Sequence, residues 1–351
     1  MALTYQAGRR IQGTATDRAG SDAVSGGWKE IGRTTLGSSG DTISVSSLPN
    51  KRYYQVLFHA SPTSTANQQI KFNNSSSGYA RRGSEDGGSD FTSINQTHLN
   101  FSSGSNTYDR FHNYYISNLS SKEKLLIGQV VDNSGNGAGN APSRLEGVGK
   151  WANTSSAFNR IDFTNTNGGS AFPSGTEVVV LGWDPDDTHT SNFFEELASV
   201  NGDGTGGFDT GTFTAKKYLW VQAYLDPSTS ARNNFRVGNT TVDTGNNYAN
   251  RGSTNDGADA TETSVTIVRG NSTSYSTPTF FNMFIINNTS NEKLLIGHSV
   301  NQNTSGAATA PSRIEFTSKW TDTSNQIDII EAFPSSGNYN TGSIIKVWGA
   351  D

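Results

Sequence analysis

The chain of 351 residues predicts an all-β protein: two tandem jelly-roll-like antiparallel β-sandwich domains behind an extended N-terminal arm. Three observations carry this. Alternating stretches such as "RYYQVLF" and "TEVVVLGW" recur, whereas no window sustains an apolar i, i+3, i+4, i+7 pattern beyond about two turns. Glycine is abundant at 38 residues and only 16% of residues are charged, the profile of many short strands joined by polar turns. Third, the chain is written twice.

The duplication is read from motifs in register. "EKLLIG" at 123–128 returns at 292–297, "APSRLE" at 141–146 returns as "APSRIE" at 310–315, and Lys150-Trp151 returns as Lys319-Trp320, all offset by 169. Tyr79 and "RGS" at 82–84 match Tyr248 and "RGS" at 251–253 at the same offset. Upstream, "RYYQV" at 52–56 meets "KYLWV" at 217–221 and Pro62 meets Pro227, offset by 165, so four residues are inserted in a loop of the second copy between these blocks. Downstream, "SGTEVVVLGW" meets "TGSIIKVWG".

Residues 1–27 lie outside the repeat and hold too little apolar surface for a core. They form either a frayed tail or an arm that orders on a partner, with Arg9 and Arg10 meeting acids and Ile11 as anchor; the arm is the favoured reading. Residues 28–183 form the first domain, of a size at which one β-sandwich buries a sufficient core. Each unit shows roughly eight to ten strand candidates, which favours two packed antiparallel sheets. "KLLIG" reads as a central strand buried on both faces, and the last strand of each unit is expected to pair beside an early one. Residues 184–192, within "GWDPDDTHTSN", read as an acidic linker, and 193–351 as the second domain.

Several function classes are disfavoured. With no Cys, there is neither a disulfide framework nor a Cys-based metal site. No signal peptide or run of about 18–20 apolar residues is present, so the expectation is a soluble chain made in the cytosol. A net charge of −5 argues against nucleic-acid binding, although residues 1–33 carry five basic side chains against three acids. The five His fall on no common position in the two copies, with His298 facing Gln129 and His59 facing Tyr224. No catalytic motif stands out, so no enzyme activity is expected.

The repeated residues allow two readings. Arg144 and Glu146, like Arg313 and Glu315, lie two apart and project from one face of a strand. They form either a ligand-binding pair or, the favoured reading, a structural pair at a strand entry with Arg stacked on Trp151 or Trp320. Arg82 and Arg251 precede acid-rich loops, "EDGGSD" and "NDGADATE", which could coordinate Ca²⁺ but do not match the twelve-residue calcium signature. "NGDGTGGFD" at 201–209 is a weaker candidate of the same kind, read as a hairpin tip. No other cofactor is expected. Exposed Trp could form a sugar platform, but Trp151 and Trp320, and Trp183 or its neighbour position at Trp348, sit at equivalent places in the two copies, which favours core use.

Taken together, "AGRRIQGT", "GGWKEIGRTTL", "KRYYQV", "YARRGSEDGG", "APSRLE" and "VVVLGW" resemble virion structural proteins of marine tailed bacteriophages, the type infecting cyanobacteria and Pelagibacter-like hosts. The resemblance implies a non-enzymatic protein displayed on the virion and made in the host cytoplasm. Its role would be a capsid decoration (cement) protein or, alternatively, a tail or fibre component whose loops bind a host glycan. It implies as partners the major capsid protein or tail proteins, and a homo-oligomer, with a trimer or higher assembly compatible with a virion lattice. The second copy departs from the pattern: Asn250 stands where the first has Arg81, and "SNFF" replaces "GGW". If the first copy docks to the particle, the second faces outward.

Overall fold

The computed structural model describes residues 27–101, 106–169, 171–184, 193–255, 257–271, 273–304 and 309–351. The expected arm, including Arg9, Arg10 and Ile11, lies outside the described residues apart from Gly27, as does the expected linker apart from Asp184.

No α-helix occurs among the described residues. The first domain comprises β1 (Lys29–Thr35), β2 (Thr42–Val45), β3 (Tyr53–Ala60), β4 (Gln68–Phe72), β5 (Tyr79–Glu85), β6 (Phe91–Gln96), β7 (Leu99–Asn100), β8 (Arg110–Ser117), β9 (Lys124–Asp132), β10 (Ser143–Trp151), β11 (Ile161–Asn165) and β12 (Glu177–Trp183). An eight-stranded sheet of order β1-β12-β3-β8-β9-β10-β5-β6 packs on a four-stranded sheet of order β2-β11-β4-β7. The closing strand β12 sits between β1 and β3, so the end of the unit pairs with its beginning.

The second domain repeats this plan with β13 (Glu195–Asn201), β14 (Phe208–Asp209), β15 (Tyr218–Leu225), β16 (Asn233–Asn239), β17 (Thr241–Val242), β18 (Tyr248–Thr254), β19 (Ala260–Val265), β20 (Val268–Arg269), β21 (Thr279–Ile286), β22 (Lys293–Asn301), β23 (Ser312–Trp320), β24 (Ile329–Pro334) and β25 (Ile344–Ala350). Its large sheet runs β13-β25-β15-β21-β22-β23-β18-β19, position for position the order of the first. Registers coincide too: Glu146 pairs with Gln129 as Glu315 pairs with His298. Strand β17 has no counterpart and falls in the four-residue insertion, where it folds back on β16. The stretch 201–209 is not a hairpin tip. It leaves β13 in the large sheet and enters the small sheet as β14, paired with β24. In the closing strands Val180 pairs with Val56 as Val347 pairs with Val221, which makes Leu181, and not Trp183, the counterpart of Trp348.

Each sandwich has its own apolar core. Trp151 and Trp320 belong to these cores, buried to 4% and 2% exposure. The cation over each ring is a lysine and not the expected arginine. Lys124 Nζ lies 5.9 Å from the Trp151 ring and Lys293 Nζ 5.6 Å from that of Trp320, because in both domains that lysine is the directly paired neighbour of the Trp on the adjacent strand.

A third cluster joins the domains. The outer faces of the two large sheets meet through Leu57, Phe111, Val131, Val179 and Leu181 from the first domain and Tyr218, Phe284, Ile286, Leu294 and Ile296 from the second. Cross-strand rows define the overlap. Glu177, His59, Phe111 and Val131 form one row of the first sheet. Ala350, Tyr218, Ile286 and Leu294 form a row near the opposite end of the second. Contacts tie the rows together: the Phe111 and Tyr218 rings lie 6.5 Å apart, and the Tyr218 hydroxyl donates to Glu177 at 2.8 Å.

The expectation that "KLLIG" is buried on both faces therefore holds for one copy only. In β22, Leu294 and Ile296 are 0% and 3% exposed beneath the first domain, whereas in β9 their counterparts Leu125 and Ile127 are 57% and 61% exposed. Identical residues meet different fates because only one copy of this half-face is covered. Truncating Leu294 to Ala is expected to lower unfolding stability by about 2–5 kcal/mol, and Leu125 to Ala to change it by no more than about 0.5 kcal/mol, measured by denaturant titration of the two variants.

Candidate functional site

The two copies of the repeated turn converge at the edge of this seam. Because side chains two apart share a strand face, Arg144 and Glu146 project together from β10, and Arg313 and Glu315 from β23, toward the space between the sheets. Arg144 contacts Glu146 of its own motif and reaches across to Glu315 at 3.0 Å and Asp259 at 2.6 Å. Its side chain is only 6% exposed, with Asp259 at 2% and Glu315 at 14%. Arg313 pairs with Glu315 at 3.4 Å but remains 60% exposed. The structural pair expected at each strand entry thus forms in both copies, and in the first it also clasps the other domain.

The remaining sequence-derived residues divide likewise. Arg251 crosses the seam, donating to the Pro142 carbonyl at 2.7 Å and pairing with Asp86 at 3.1 Å. Its counterpart Arg82 stays in its own loop, paired with Asp90 at 3.2 Å and 60% exposed. In both "RGS" motifs the serine closes the following turn, Ser84 onto the Gly88 carbonyl and Ser253 onto that of Gly257, each at 2.8 Å. The acid-rich loops read as Ca²⁺ candidates spend Asp86, Asp90 and Asp259 on arginines. Gly87, at φ +71°, lets one loop approach the other domain, since a Cβ there would stand 2.7 Å from the Asp259 backbone nitrogen.

The seam also holds residues that sequence reasoning missed. Lys319, fully buried, donates to the carbonyls of Asn133 and Gly135 and pairs with Glu292 at 3.2 Å. Glu292 in turn accepts from the Gly137 backbone at 2.6 Å. Glu177 accepts from Lys217 at 2.7 Å and lies 3.2 Å from Arg33. Burial disfavours its charge, but the bonds from Lys217 and Tyr218 and the Arg33 charge prevail, holding its carboxyl at about 2. The signal was present in the sequence: at this row the copies differ, Glu177 and His59 standing where the second domain has Ile344 and Tyr224.

Beside Arg144 the sheets part into a cleft of about 750 Å³, with Ile127 and Val148 on one wall and Arg313 on the other, and with Glu146, His298 and Glu315 inside it. These three offer ligand atoms within 4.8 Å of one another, a donor set that could hold a divalent ion. Arg144 already contacts both carboxylates, and the His298 imidazole meets the Gln129 amide, the residue at its own repeat position. Burial and the neighbouring Glu315 raise the Glu146 carboxyl to about 7 even with Arg144 opposing them. Of the other described histidines, His112 meets Tyr114 and Gln68 and His98 meets Thr97 within the first domain, whereas His59 meets Asn288 across the seam.

No family model matches the chain, and no curated protein matches it. Among solved structures, mouse laminin alpha1 chain, domains LG4-5, is similar at 11% identity and a TM-score of 0.17, covering 92% of this chain and 90% of that one. Human GIVD cytosolic phospholipase A2 is similar at 8% identity and a TM-score of 0.13, covering 78% of this chain and 33% of that one. Likenesses at these scores carry no argument about fold or function.

Two outcomes follow from the seam charges. Arg144→Met should lower stability by about 3–5 kcal/mol by leaving the buried Asp259 carboxylate without its arginine, and Arg313→Met by no more than about 0.5–1 kcal/mol, read by calorimetry or denaturant unfolding. The two glutamates act on pH in opposite senses. Glu146, raised from 4.5 to about 7, keeps its proton when folded after the unfolded chain has released it, so its contribution falls as pH rises through that window. Glu177, lowered from 4.5 to about 2, contributes above 4.5 and loses that contribution as pH falls toward 2. Glu146→Gln should flatten the melting profile between about pH 4.5 and 7 while leaving the acid limb unchanged, as checked by thermal melts across pH.

Proposed function

We propose that this chain is a non-enzymatic structural protein of a virion, a decoration or cement protein held on the capsid surface and made in the host cytoplasm. The observation that carries this reading is the seam. The chain commits a largely buried charge network, Arg144 with Glu315 and Asp259, and an apolar cluster as well, to joining its own two sandwiches. A double domain fixed in this way suits display, where function comes from contacts and copy number rather than from turnover.

In this reading Arg9, Arg10 and Ile11 dock the chain to the major capsid protein or to a tail protein. The second domain, lacking the Arg81 counterpart, faces outward. Deleting residues 1–27 should leave the double domain folded and reduce the number of copies per particle at least tenfold, counted by quantitative mass spectrometry of purified particles. Unchanged occupancy would overturn arm-mediated docking.

A further inference from the structure

Nine large apolar side chains among the described residues are exposed. Seven of them lie in two groups on the outer faces of the large sheets. Tyr53, Leu125, Ile127 and Val148 lie on the first domain at 37%, 57%, 61% and 50% exposure; Tyr224, Phe280 and Val300 lie on the second at 42%, 42% and 44%. Surfaces of this kind are uncommon on a monomer unless something covers them.

The duplication shows what kind of surface covers them. The counterparts of the first group, Tyr218, Leu294, Ile296 and Thr317, are at most 3% exposed. Those of the second, His59, Phe111 and Val131, are at most 6% exposed. All seven counterparts are buried, and most belong to the cluster that joins the domains. Within one chain, then, the row through Phe111 and Val131 covers the row through Tyr218 and Leu294. The same two rows recur uncovered: Tyr224, Phe280 and Val300 in register on the second sheet, and Tyr53, Ser117 and Leu125 in register on the first.

We propose that a second copy of this chain covers these rows, the Phe280 face of one chain packing on the Ile127 face of another as the Phe111 face packs on the Ile296 face within each chain. Because the patch offered differs from the patch received, the contact either forms twice about a two-fold axis or repeats head to tail. Part of the polar complement carries over. Lys150 pairs with Glu123 at 2.9 Å as Lys319 pairs with Glu292 at 3.2 Å, and the carbonyls of Gln302 and Thr304 stand at the repeat positions of Asn133 and Gly135, which Lys319 bonds. The Glu177 to Lys217 pair does not carry over, because Ile344 and Arg52 occupy those positions. The contact between chains is accordingly weaker and more apolar than the seam within one. This inference does not rest on the virion reading, and it survives if the arm proves not to dock the chain to a particle.

Complementation tests it with the full chain. Wild type should associate in a concentration-dependent way in sedimentation velocity, between about 1 and 200 μM. Ile127→Asp and Phe280→Asp should each remain monomeric, with the wild-type circular dichroism spectrum and a wild-type melting temperature at 1 μM. Mixed in equal amounts, the two variants should form heterodimers, because one retains an intact Phe280 face and the other an intact Ile127 face. Three results would overturn the proposal: a wild-type chain monomeric throughout, association unaffected by either substitution, or variants that fail to complement. Cross-linking of a Val148→Cys, Val300→Cys chain within single molecules and never between them would likewise overturn it, in favour of closure of one chain's own domains.

Discussion

The structure depends on one constraint, that a large sheet with two apolar faces must cover both. The inner face of each eight-stranded sheet is satisfied by the small sheet of its own sandwich. The outer face has no such partner within the domain, and each buried Leu, Ile, Val or Phe on it gains about 1.5–3 kcal/mol over exposure. The two outer faces supply cover for each other over the rows through Phe111 and Tyr218. Once they do, the polar groups on the same rows are drawn out of water as well. Glu177, Lys319 and Arg144 are charged side chains that the covering left no choice but to pair.

Covalent linkage lets such a seam persist. A polar, charge-bearing contact between free domains would compete with the loss of translational freedom, whereas a tether turns association into an intramolecular step at high effective concentration. The seam can therefore bury ionised groups whose net worth is modest. What those groups add is a penalty for displacement: shifting the overlap would strand Arg144 from Asp259 and Glu315, and Lys319 from the Asn133 and Gly135 carbonyls.

Much of this architecture is legible in the sequence, and the reason it stops where it does is physical. Alternation and turn chemistry report on a strand's own neighbours, so the all-β class, the 169-residue offset and the pairing of the closing strand with early strands could all be read. The seam could not. "EKLLIG" is the same in both copies, yet Leu125 lies in solvent and Leu294 is buried, and no local pattern distinguishes them because the covering surface lies more than a hundred residues away. The same holds for "APSRLE" and "APSRIE". The spacing of Arg and Glu reveals the ion pair within each motif, but not that the motifs meet or that only Arg144 is buried. Trp183 and Trp348 look equivalent by eye, and only the register with β3 and β15 shows that Leu181 holds the equivalent place.

Duplication by itself would favour a symmetric arrangement in which each contact has a mirror, and a few positions approach it. Gln129 meets His298, its own repeat counterpart, and Tyr115 lies 6.5 Å from Phe284, likewise its counterpart. Away from these positions the symmetry fails. The row holding Glu177 and Phe111 meets Tyr218, but the reciprocal rows through Tyr53 and Tyr224 stay open. The substitutions that separate the copies fall on this difference. Glu177 is Ile344 in the second domain, Leu181 is Trp348 and Val148 is Thr317, so that the charge binding Lys217 exists on one side alone. At most of the other positions the copies have not diverged: Tyr53 and Tyr218, Leu125 and Leu294, Ile127 and Ile296, Phe280 and Phe111, and Val300 and Val131 are the same residue, so the open rows carry the side chains that the closed rows bury.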